Sequence, residues 1–211
     1  MKSKWKLRVN ALWLVPALLC CEPVMGRDIT PAGASSPTTV PVYLDDTKPL
    51  EQRVEDALSR MTLQEKIKII HAQSKFSSPG VPRLGIPEIW CTDGPHGIRP
   101  EVLWDEWEQA GWTNDSCTAF PSLTALAATW NPDMALLYGK SIGEEARFRN
   151  KSVLLGPGVN IYRTPLCGRN FEYMGEDPYL SSRMVVPYVK GVQSNGVATC
   201  VKHFALNNND I

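Results

Sequence analysis

The chain has 211 residues, with 22 Lys and Arg against 22 Asp and Glu, so its formal net charge is zero. If residues 1–26 are removed as a leader, four basic residues and one acidic residue leave with them, and 18 basic residues remain against 21 acidic ones. This near balance gives no electrostatic reason to expect nucleic acid or an anionic membrane as a partner.

The first 26 residues have the pattern of a secretory signal peptide. A basic segment at 2–8 precedes ten apolar residues at 11–20, and residues 24–26 supply a cleavage site. Ten apolar residues are too few to cross a hydrocarbon layer of ~30 Å, so we expect no membrane span. The leader predicts an exported protein, periplasmic or extracellular. The alternatives are a lipid anchor at Cys20 or Cys21 and a buried N-terminal helix.

Cysteine and histidine do not form a metal-ligand pattern. Without the leader, the residues of these two types are Cys91, Cys117, Cys167, Cys200, His71, His96 and His203. None of the cysteines lies in a Cys-x-x-Cys pair, so no zinc spacing results. The chain also lacks a Walker-type or dinucleotide-binding glycine motif. We expect isolated buried thiols, no metal and no cofactor.

Helical periodicity follows a segment rich in Pro, Ser, Thr, Ala and Gly. Residues 27–42 show no periodicity and predict a flexible linker, so the folded part is expected at 43–211. Apolar residues recur at helical spacing after Pro49, and Thr62 followed by Glu65 has the pattern of a capping box for a second helix. We expect these two helices to pack together.

Short apolar runs alternate with amphipathic helices from residue 83 onward. The runs predict strands at 86–91, at 153–155 continued by 159–161, and at 197–201. Helices are predicted at 134–147 after an Asn-Pro-Asp cap, and from the Asp-Pro pair at 177–178 to the Asn-Gly pair at 195–196. This alternation is typical of βα units around a parallel sheet.

Polar residues follow each predicted strand, where parallel βα folds place their functional side chains. They are Asp93, His96 and Arg99, then Asn160, Arg163, Arg169 and Glu172, then Lys202 and His203. A mixture of carboxylates and cationic donors suits a neutral, polyhydroxylated ligand, because each hydroxyl both donates and accepts. The near balance of acid and base also lets the buried charges pair with one another. We therefore expect a sugar site.

Several ordered motifs resemble those of family 3 glycoside hydrolases. They are Arg-Leu-Gly-Ile-Pro to Asp-Gly-Pro-His-Gly-Ile-Arg at 83–99, Gly-Arg-Asn-Phe-Glu at 168–172, Gly-Glu-Asp-Pro at 175–178 and Lys-His-Phe-Ala-Leu-Asn at 202–207. The resemblance implies an α/β fold, a partial (β/α)8 TIM-type barrel of which residues 43–211 hold the N-terminal half. The last motif resembles the β-glucosidase and β-xylosidase branch rather than the N-acetylglucosaminidase branch.

The resemblance also implies which residues bind substrate. The family's counterparts of Asp93, Arg169, Lys202 and His203 hold the hydroxyls of the terminal sugar, and Arg99 is expected to assist. The alternative for Asp93 is that it caps the turn that follows it. Because successive strand residues point to opposite faces, Lys202 and His203 both reach a ligand only if the strand ends or kinks at this point.

Three further carboxylates, those of Glu172, Glu176 and Asp177, are expected behind the sugar site. Asp177 occupies an N-cap position before a proline, and Glu176 or Asp177 is a candidate partner of Arg169. The segment 101–113 carries three tryptophans, which either stack on a sugar face or pack over the rim of the barrel.

Retaining glycoside hydrolysis needs two carboxyl groups roughly 5 Å apart. In the resembled family both lie further along the chain than residue 211, so we expect no catalytic residue here. The predicted function is hydrolysis of terminal non-reducing β-D-glycosyl residues, above all β-glucosyl residues, by a longer parent enzyme. The expected partners are β-glucosides or β-xylosides and the missing C-terminal part of the parent. The alternatives are a β-xylosidase parent and a non-catalytic exported protein that binds sugar or another partner.

Overall fold

A computed structural model describes residues 40–94, 96–99 and 116–208 of the chain. The predicted signal peptide, residues 27–39 of the predicted linker and the tryptophan-rich segment 101–113 lie outside these described residues. In the described part, no helix has the length and apolar character needed to span a membrane.

Two short helices begin the described part, after a 3₁₀ turn at Val42–Leu44. Helix α1 spans Leu50–Arg60, and helix α2 spans Leu63–Ile69. The Thr62 hydroxyl accepts a hydrogen bond from the Glu65 N–H at 3.2 Å, and the Glu65 carboxylate accepts one from the Thr62 N–H at 2.8 Å. The predicted capping box is therefore confirmed.

The apolar stripes of α1 and α2 do not pack together as expected. Their members are 39–82% exposed and comprise Leu50, Val54, Leu58, Leu63, Ile67 and Ile70. Polar contacts hold this region instead: the Tyr43 hydroxyl donates to the Leu84 carbonyl at 2.8 Å, and Arg83 pairs with Glu65 at 2.7 Å. The expectation was wrong because helical spacing indicates an apolar face without showing what covers it.

Within residues 40–94, 96–99 and 116–208, four strands form one sheet in the order β1-β2-β3-β4. They are β1 (Ser77–Ser78), β2 (Ile89–Asp93), β3 (Val153–Leu155) and β4 (Ala198–Thr199). Strand β1 runs antiparallel to β2, whereas β2, β3 and β4 are mutually parallel. The predicted parallel sheet is confirmed, and its strands lie side by side in chain order.

The strands are shorter than the apolar runs predicted. Residues 159–161 do not continue β3, because Gly156-Pro157-Gly158 interrupts it and proline has no N–H for the ladder. Only isolated bridges follow, joining Gly158 to Lys202 and Ile161 to Gly175. Strand β2 begins at Ile89, after Pro87, for the same reason.

Three helices cover one face of the sheet: α3 (Leu123–Ala127), α4 (Pro132–Phe148) and α5 (Pro178–Gln193). The Asn131 and Asp177 side chains cap α4 and α5, as predicted, by accepting from backbone N–H groups at 2.9 and 2.8 Å. The shared apolar core, hereafter the helix core, is fully buried. It includes Ile98, Leu123, Ile142, Leu154, Met184, Tyr188 and Val192.

The sheet's other face is more open. Ala198 and Cys200, at the end of the last described strand, are exposed. Alongside α5, an apolar groove of about 630 Å³ lies between this helix and the segments after β3 and β4, lined by Val159, Ile161, Val185, Val186, Val189 and Val201 among others. The four cysteines of the described part are free thiols, but only Cys167 is buried, so the expectation of buried thiols was wrong for the exposed Cys117 and Cys200.

Candidate functional site

The end of β2 and the segments after β3 and β4 bring five charged or ionisable side chains to one end of the sheet. This strand-end cluster consists of Asp93, Arg169, Glu172, Lys202 and His203. Asp93 is the last residue of β2 and pairs in register with Leu155, the last residue of β3. Because the carboxyl ends of the parallel strands lie at the same end of the sheet, residues far apart in sequence meet there.

Lys202 lies at the centre of the cluster. Its ammonium nitrogen is 3.1 Å from Asp93 Oδ1 and 3.1 Å from Glu172 Oε2. The Lys202 side chain is 12% exposed and that of Glu172 is 9% exposed, so water screens this pair poorly. One cation therefore joins two carboxylates, one at the end of β2 and one in the segment after β3.

Arg169 extends the cluster beyond Glu172. Its Nε lies 2.7 Å from Glu172 Oε1, and its Nη2 lies 2.6 Å from His203 Nε2. Burial alone raises the pKa of Glu172, but hydrogen bonds and charge from Arg169 and Lys202 outweigh it and hold the pKa below its usual value. Glu172 is therefore an ionised group that fixes two cations.

Lys202 and His203 both face the cluster although they are adjacent in sequence. Strand β4 ends at Thr199, and only an isolated bridge to Gly158 involves Lys202, so strict alternation of faces does not apply. The sequence analysis required the strand to end before these two residues, and it does.

Asp93 has both of the contacts considered for it. Its Oδ1 accepts from the Gly94 N–H at 3.0 Å, which stabilises the following turn, and the same oxygen binds Lys202. Arg99 approaches Asp93 Oδ2 at 3.7 Å. The Asp93 and Arg99 side chains are 36% and 33% exposed, so this side of the cluster is open to a ligand.

The remaining predicted carboxylates lie elsewhere. Glu176 is exposed, and Asp177 accepts from the Tyr179 N–H as the cap of α5. Among the described residues, the carboxylate paired with Arg169 is that of Glu172. His96 is a bridge rather than a cluster member: its Nε2 accepts from the Leu123 N–H at 3.2 Å.

Sequence reasoning missed the residues that surround His203. The Tyr173 hydroxyl lies 2.9 Å from His203 Nδ1, and the Asn207 amide donates to that hydroxyl at 3.1 Å. Asn160, noted only as a strand-end residue, accepts from the His203 N–H at 2.6 Å. Tyr173 and Asn207 directly follow or end two of the quoted motifs, which is the signal that could have drawn attention to them.

The chemistry of the cluster suits a neutral ligand with several hydroxyl groups better than a metal ion. Within the described residues, no group of three His, Cys, Asp or Glu side chains is placed to hold a metal ion. Donors and acceptors alternate instead, which matches vicinal hydroxyls, and the acidic and basic charges compensate one another. Strands in chain order, with helices α3 to α5 on one face, place this cluster in part of a TIM-type α/β barrel.

Comparison with known sequences identifies the family. Residues 60–209 match the profile of the glycosyl hydrolase family 3 N terminal domain, and the chain belongs to this family.

Its relatives include Beta-glucosidase BoGH3A of Bacteroides ovatus, 71% identical over 171 residues, which are 81% of this chain and 23% of the relative. Another is an Exo-alpha-(1->6)-L-arabinopyranosidase of Bifidobacterium longum, 43% identical over 154 residues, or 71% of this chain and 20% of the relative. The chain thus spans about a quarter or less of these proteins.

Solved structures give the same result. DesR, a beta-glucosidase from Streptomyces venezuelae in complex with D-glucose, is 42% identical and superposes with a TM-score of 0.65. That match covers 74% of this chain and 19% of DesR. The expected fold, the N-terminal part of the family 3 barrel domain, is confirmed.

Proposed function

We propose that these residues form the sugar-holding part of an exported β-glucosidase that removes terminal non-reducing β-D-glucosyl residues. The observation that carries the proposal is the Lys202 ammonium group, which joins Asp93 and Glu172 and so sets acceptors and donors along one rim. A sugar reaches the cluster members Asp93 and Arg169 and the neighbouring Arg99, each of which is about one-third exposed.

The same geometry argues against Glu172 as a catalytic acid. A general acid must hold a proton near the operating pH, whereas Arg169 and Lys202 hold the pKa of Glu172 below its usual value. We therefore expect the nucleophile and the acid/base to come from parts of a longer protein, and the 211-residue chain alone to be inactive on aryl β-glucosides.

Export is the second component of the proposal. The leader-like pattern of residues 1–26, followed by the linker at 27–42, supports secretion to the periplasm or the exterior. N-terminal sequencing of the protein recovered from the producing cell tests this: a start near Arg27 supports cleavage, and an intact Met1 contradicts it. A lipid-modified Cys20 or Cys21 would favour the anchored alternative.

The sugar site is tested by titrating the chain with D-glucose while following ¹H–¹⁵N NMR spectra. We expect saturable shifts at Asp93, Arg169 and Lys202, and a loss of at least tenfold in affinity in Asp93→Asn, because an ionised acceptor for a hydroxyl is removed. Asp46→Asn, which removes the same charge from an exposed position, is the matched control. Equal affinity in both variants would contradict the proposal.

Substrate choice within the family is a separate question. One relative's name is that of an L-arabinopyranosidase, and both L-arabinopyranose and xylose lack the exocyclic CH₂OH of glucose. Competition among glucose, xylose and L-arabinose in the same titration ranks the affinities of the site for these sugars. Tighter binding of xylose than of glucose would favour the β-xylosidase alternative. If this chain is not part of a longer protein and still binds sugar saturably, the non-catalytic binder is favoured.

A further inference from the structure

His96 joins the loop after β2 to the beginning of helix α3 through both its backbone and its ring. Its carbonyl oxygen accepts from the Phe120 N–H at 2.7 Å, and its Nε2 accepts from the Leu123 N–H at 3.2 Å. A backbone N–H can only donate, so Nε2 carries no proton and the neutral ring carries its proton on Nδ1. These two contacts also fix the orientation of the imidazole.

The same ring meets the 3₁₀ turn at Asn170–Glu172. The His96 and Phe171 rings are in contact, with their centroids 5.6 Å apart. A hydrogen bond to the Phe171 backbone raises the pKa of His96, as a bond donated by the ring to a carbonyl oxygen does. Because Nε2 accepts from Leu123, the donor in this second bond is Nδ1–H. The imidazole therefore links α3 to the turn that carries Glu172 of the strand-end cluster.

Protonation of His96 removes one of the two links. A protonated imidazole has an N–H on both nitrogens, so Nε2 then turns a donor toward the Leu123 N–H, which is also a donor. The bond to α3 is lost, and the ring no longer holds the turn in a fixed place. The neutral form of His96 is thus the form that the described contacts require.

Two charged groups from other segments act on the His96 ring. Burial is the largest influence and lowers the pKa of His96 below 6.5, whereas the Glu172 carboxylate raises it and the Lys202 ammonium group lowers it. Helix α3, at Leu123–Ala127, has no ionisable side chain. The ring is therefore neutral at pH 7. Once protonated, it competes with Lys202 for the carboxylate of Glu172.

We propose that His96 is a positioning residue of the sugar site: its neutral ring holds the Asn170–Glu172 turn against α3, and its protonation weakens sugar binding. The held turn keeps Glu172 in place for Lys202, and it fixes the backbone next to Arg169, which the sugar reaches. The effect on sugar binding rests on the proposed function, whereas the contacts of the ring and their loss on protonation do not.

Long-range ¹H–¹⁵N correlation of the histidine rings tests the contacts in the unaltered chain. At neutral pH we expect His96 to carry its proton on Nδ1, and we expect the Glu172 amide signal to move as the His96 ring titrates. The carboxylate of Glu172 has a lowered pKa, so its own titration lies at more acidic pH. A protonated Nε2 at neutral pH, or a Glu172 amide that ignores the titration of His96, would overturn the proposal.

Glucose should lower the pH at which His96 titrates. We expect the chain with a neutral His96 to bind glucose about threefold more tightly than the chain with a protonated one. By thermodynamic linkage, saturating glucose then lowers the titration midpoint of the ring by about 0.5 pH unit. His71 is the internal control, because its exposed ring contacts the carbonyl of the adjacent Ala72. A His96 midpoint that saturating glucose leaves unmoved would refute its effect on the sugar.

His96→Gln separates His96 from the other titrating groups. The glutamine side-chain oxygen can accept from the Leu123 N–H at any pH, so the fall in glucose affinity of about threefold between about pH 7 and pH 5 should disappear. His71→Gln is the matched control and should keep this fall. Because His203 is present in both variants, its own titration cancels in the comparison. The same pH profile in both variants would contradict the proposal.

The result for glucose and the result for the ring can fail separately. Absence of saturable glucose binding in the unaltered chain would refute the proposed sugar site, and with it the effect of His96 on the sugar. The response of the Glu172 amide to the titration of His96 would then still decide whether this histidine positions the turn.

Discussion

The helix core and the strand-end cluster lie on connected elements, yet different forces hold them. In the helix core, α4 and α5 approach so closely that a Cβ added at Gly139 would lie 2.2 Å from the Tyr188 carbonyl oxygen. In the cluster, Lys202 and Glu172 are shielded from water and depend on each other's charge. Shape complementarity stabilises the first region, whereas ionisation stabilises the second, so the two should fail under different changes.

The largest expected effect is from breaking the cluster at its shared carboxylate. Glu172→Gln leaves Lys202 and Arg169 with a neutral partner in a poorly hydrated site, which should lower the free energy of unfolding by about 3 kcal/mol. Urea denaturation followed by circular dichroism measures this loss. Glu144→Gln, at an exposed position of α4, should change it little. Equal stability of the two variants would show that charge does not hold the cluster.

The helix core should fail through overpacking. In Gly139→Ala, the added methyl group collides with the backbone of α5, so we expect the free energy of unfolding to fall by about 2 kcal/mol despite alanine's better helix propensity. Gly168→Ala is the comparison, because an added Cβ there meets nothing within 4 Å. Denaturation midpoints of the two variants test this, and similar midpoints would mean that α4 and α5 can separate at little cost.

The smallest effects are shifts in the pH dependence of stability, and they should differ in direction between the two regions. The lowered pKa of Glu172 means that its contribution is complete above its ordinary value of 4.5 and is lost as pH falls through the folded-state value. In the helix core, burial raises the pKa of Tyr188 and Tyr138, so their contribution is complete below about pH 10 and is lost as pH rises.

Thermal unfolding midpoints measured across pH separate the loss of stability at acid pH, the acid limb, from the loss at alkaline pH, the alkaline limb. Glu172→Gln should flatten the acid limb and leave the alkaline one, whereas Tyr138→Phe should do the reverse. His96 adds a step between them: burial lowers its pKa below 6.5, so its share of stability is lost as pH falls below that value, and His96→Gln should remove this step. Parallel curves for all variants would contradict the assignment of separate forces.

Local signals in the sequence predicted much of the fold. The capping box at Thr62, the caps at Asn131 and Asp177 and the parallel sheet depend on neighbouring residues or short periodic patterns, and all are present. Strand lengths failed where Pro87 and Pro157 interrupt apolar runs. The packing of α1 against α2 failed because an apolar stripe carries no information about its partner.

The cluster was predicted less completely than the fold. Motif resemblance and strand-end position indicated Asp93, Arg169 and Lys202, and the structure brings them together. Spacing alone could not show that Glu172 contacts Lys202 directly, or that the Tyr173 hydroxyl meets His203, since both contacts depend on how the turn at Asn170–Glu172 folds back. A sequence pattern does not show which distant segments the fold brings into contact.

The apolar groove beside α5 has a consequence for handling the protein. Strand β4 is the last strand of the described sheet, and a last strand offers free backbone groups to any further strand. Valines also line the adjoining groove, so in concentrated solution the β4 edges of two copies can pair through their backbone hydrogen bonds. The average molar mass measured by light scattering should therefore rise with protein concentration. A synthetic β-strand peptide that pairs with the free edge of β4 should suppress this rise.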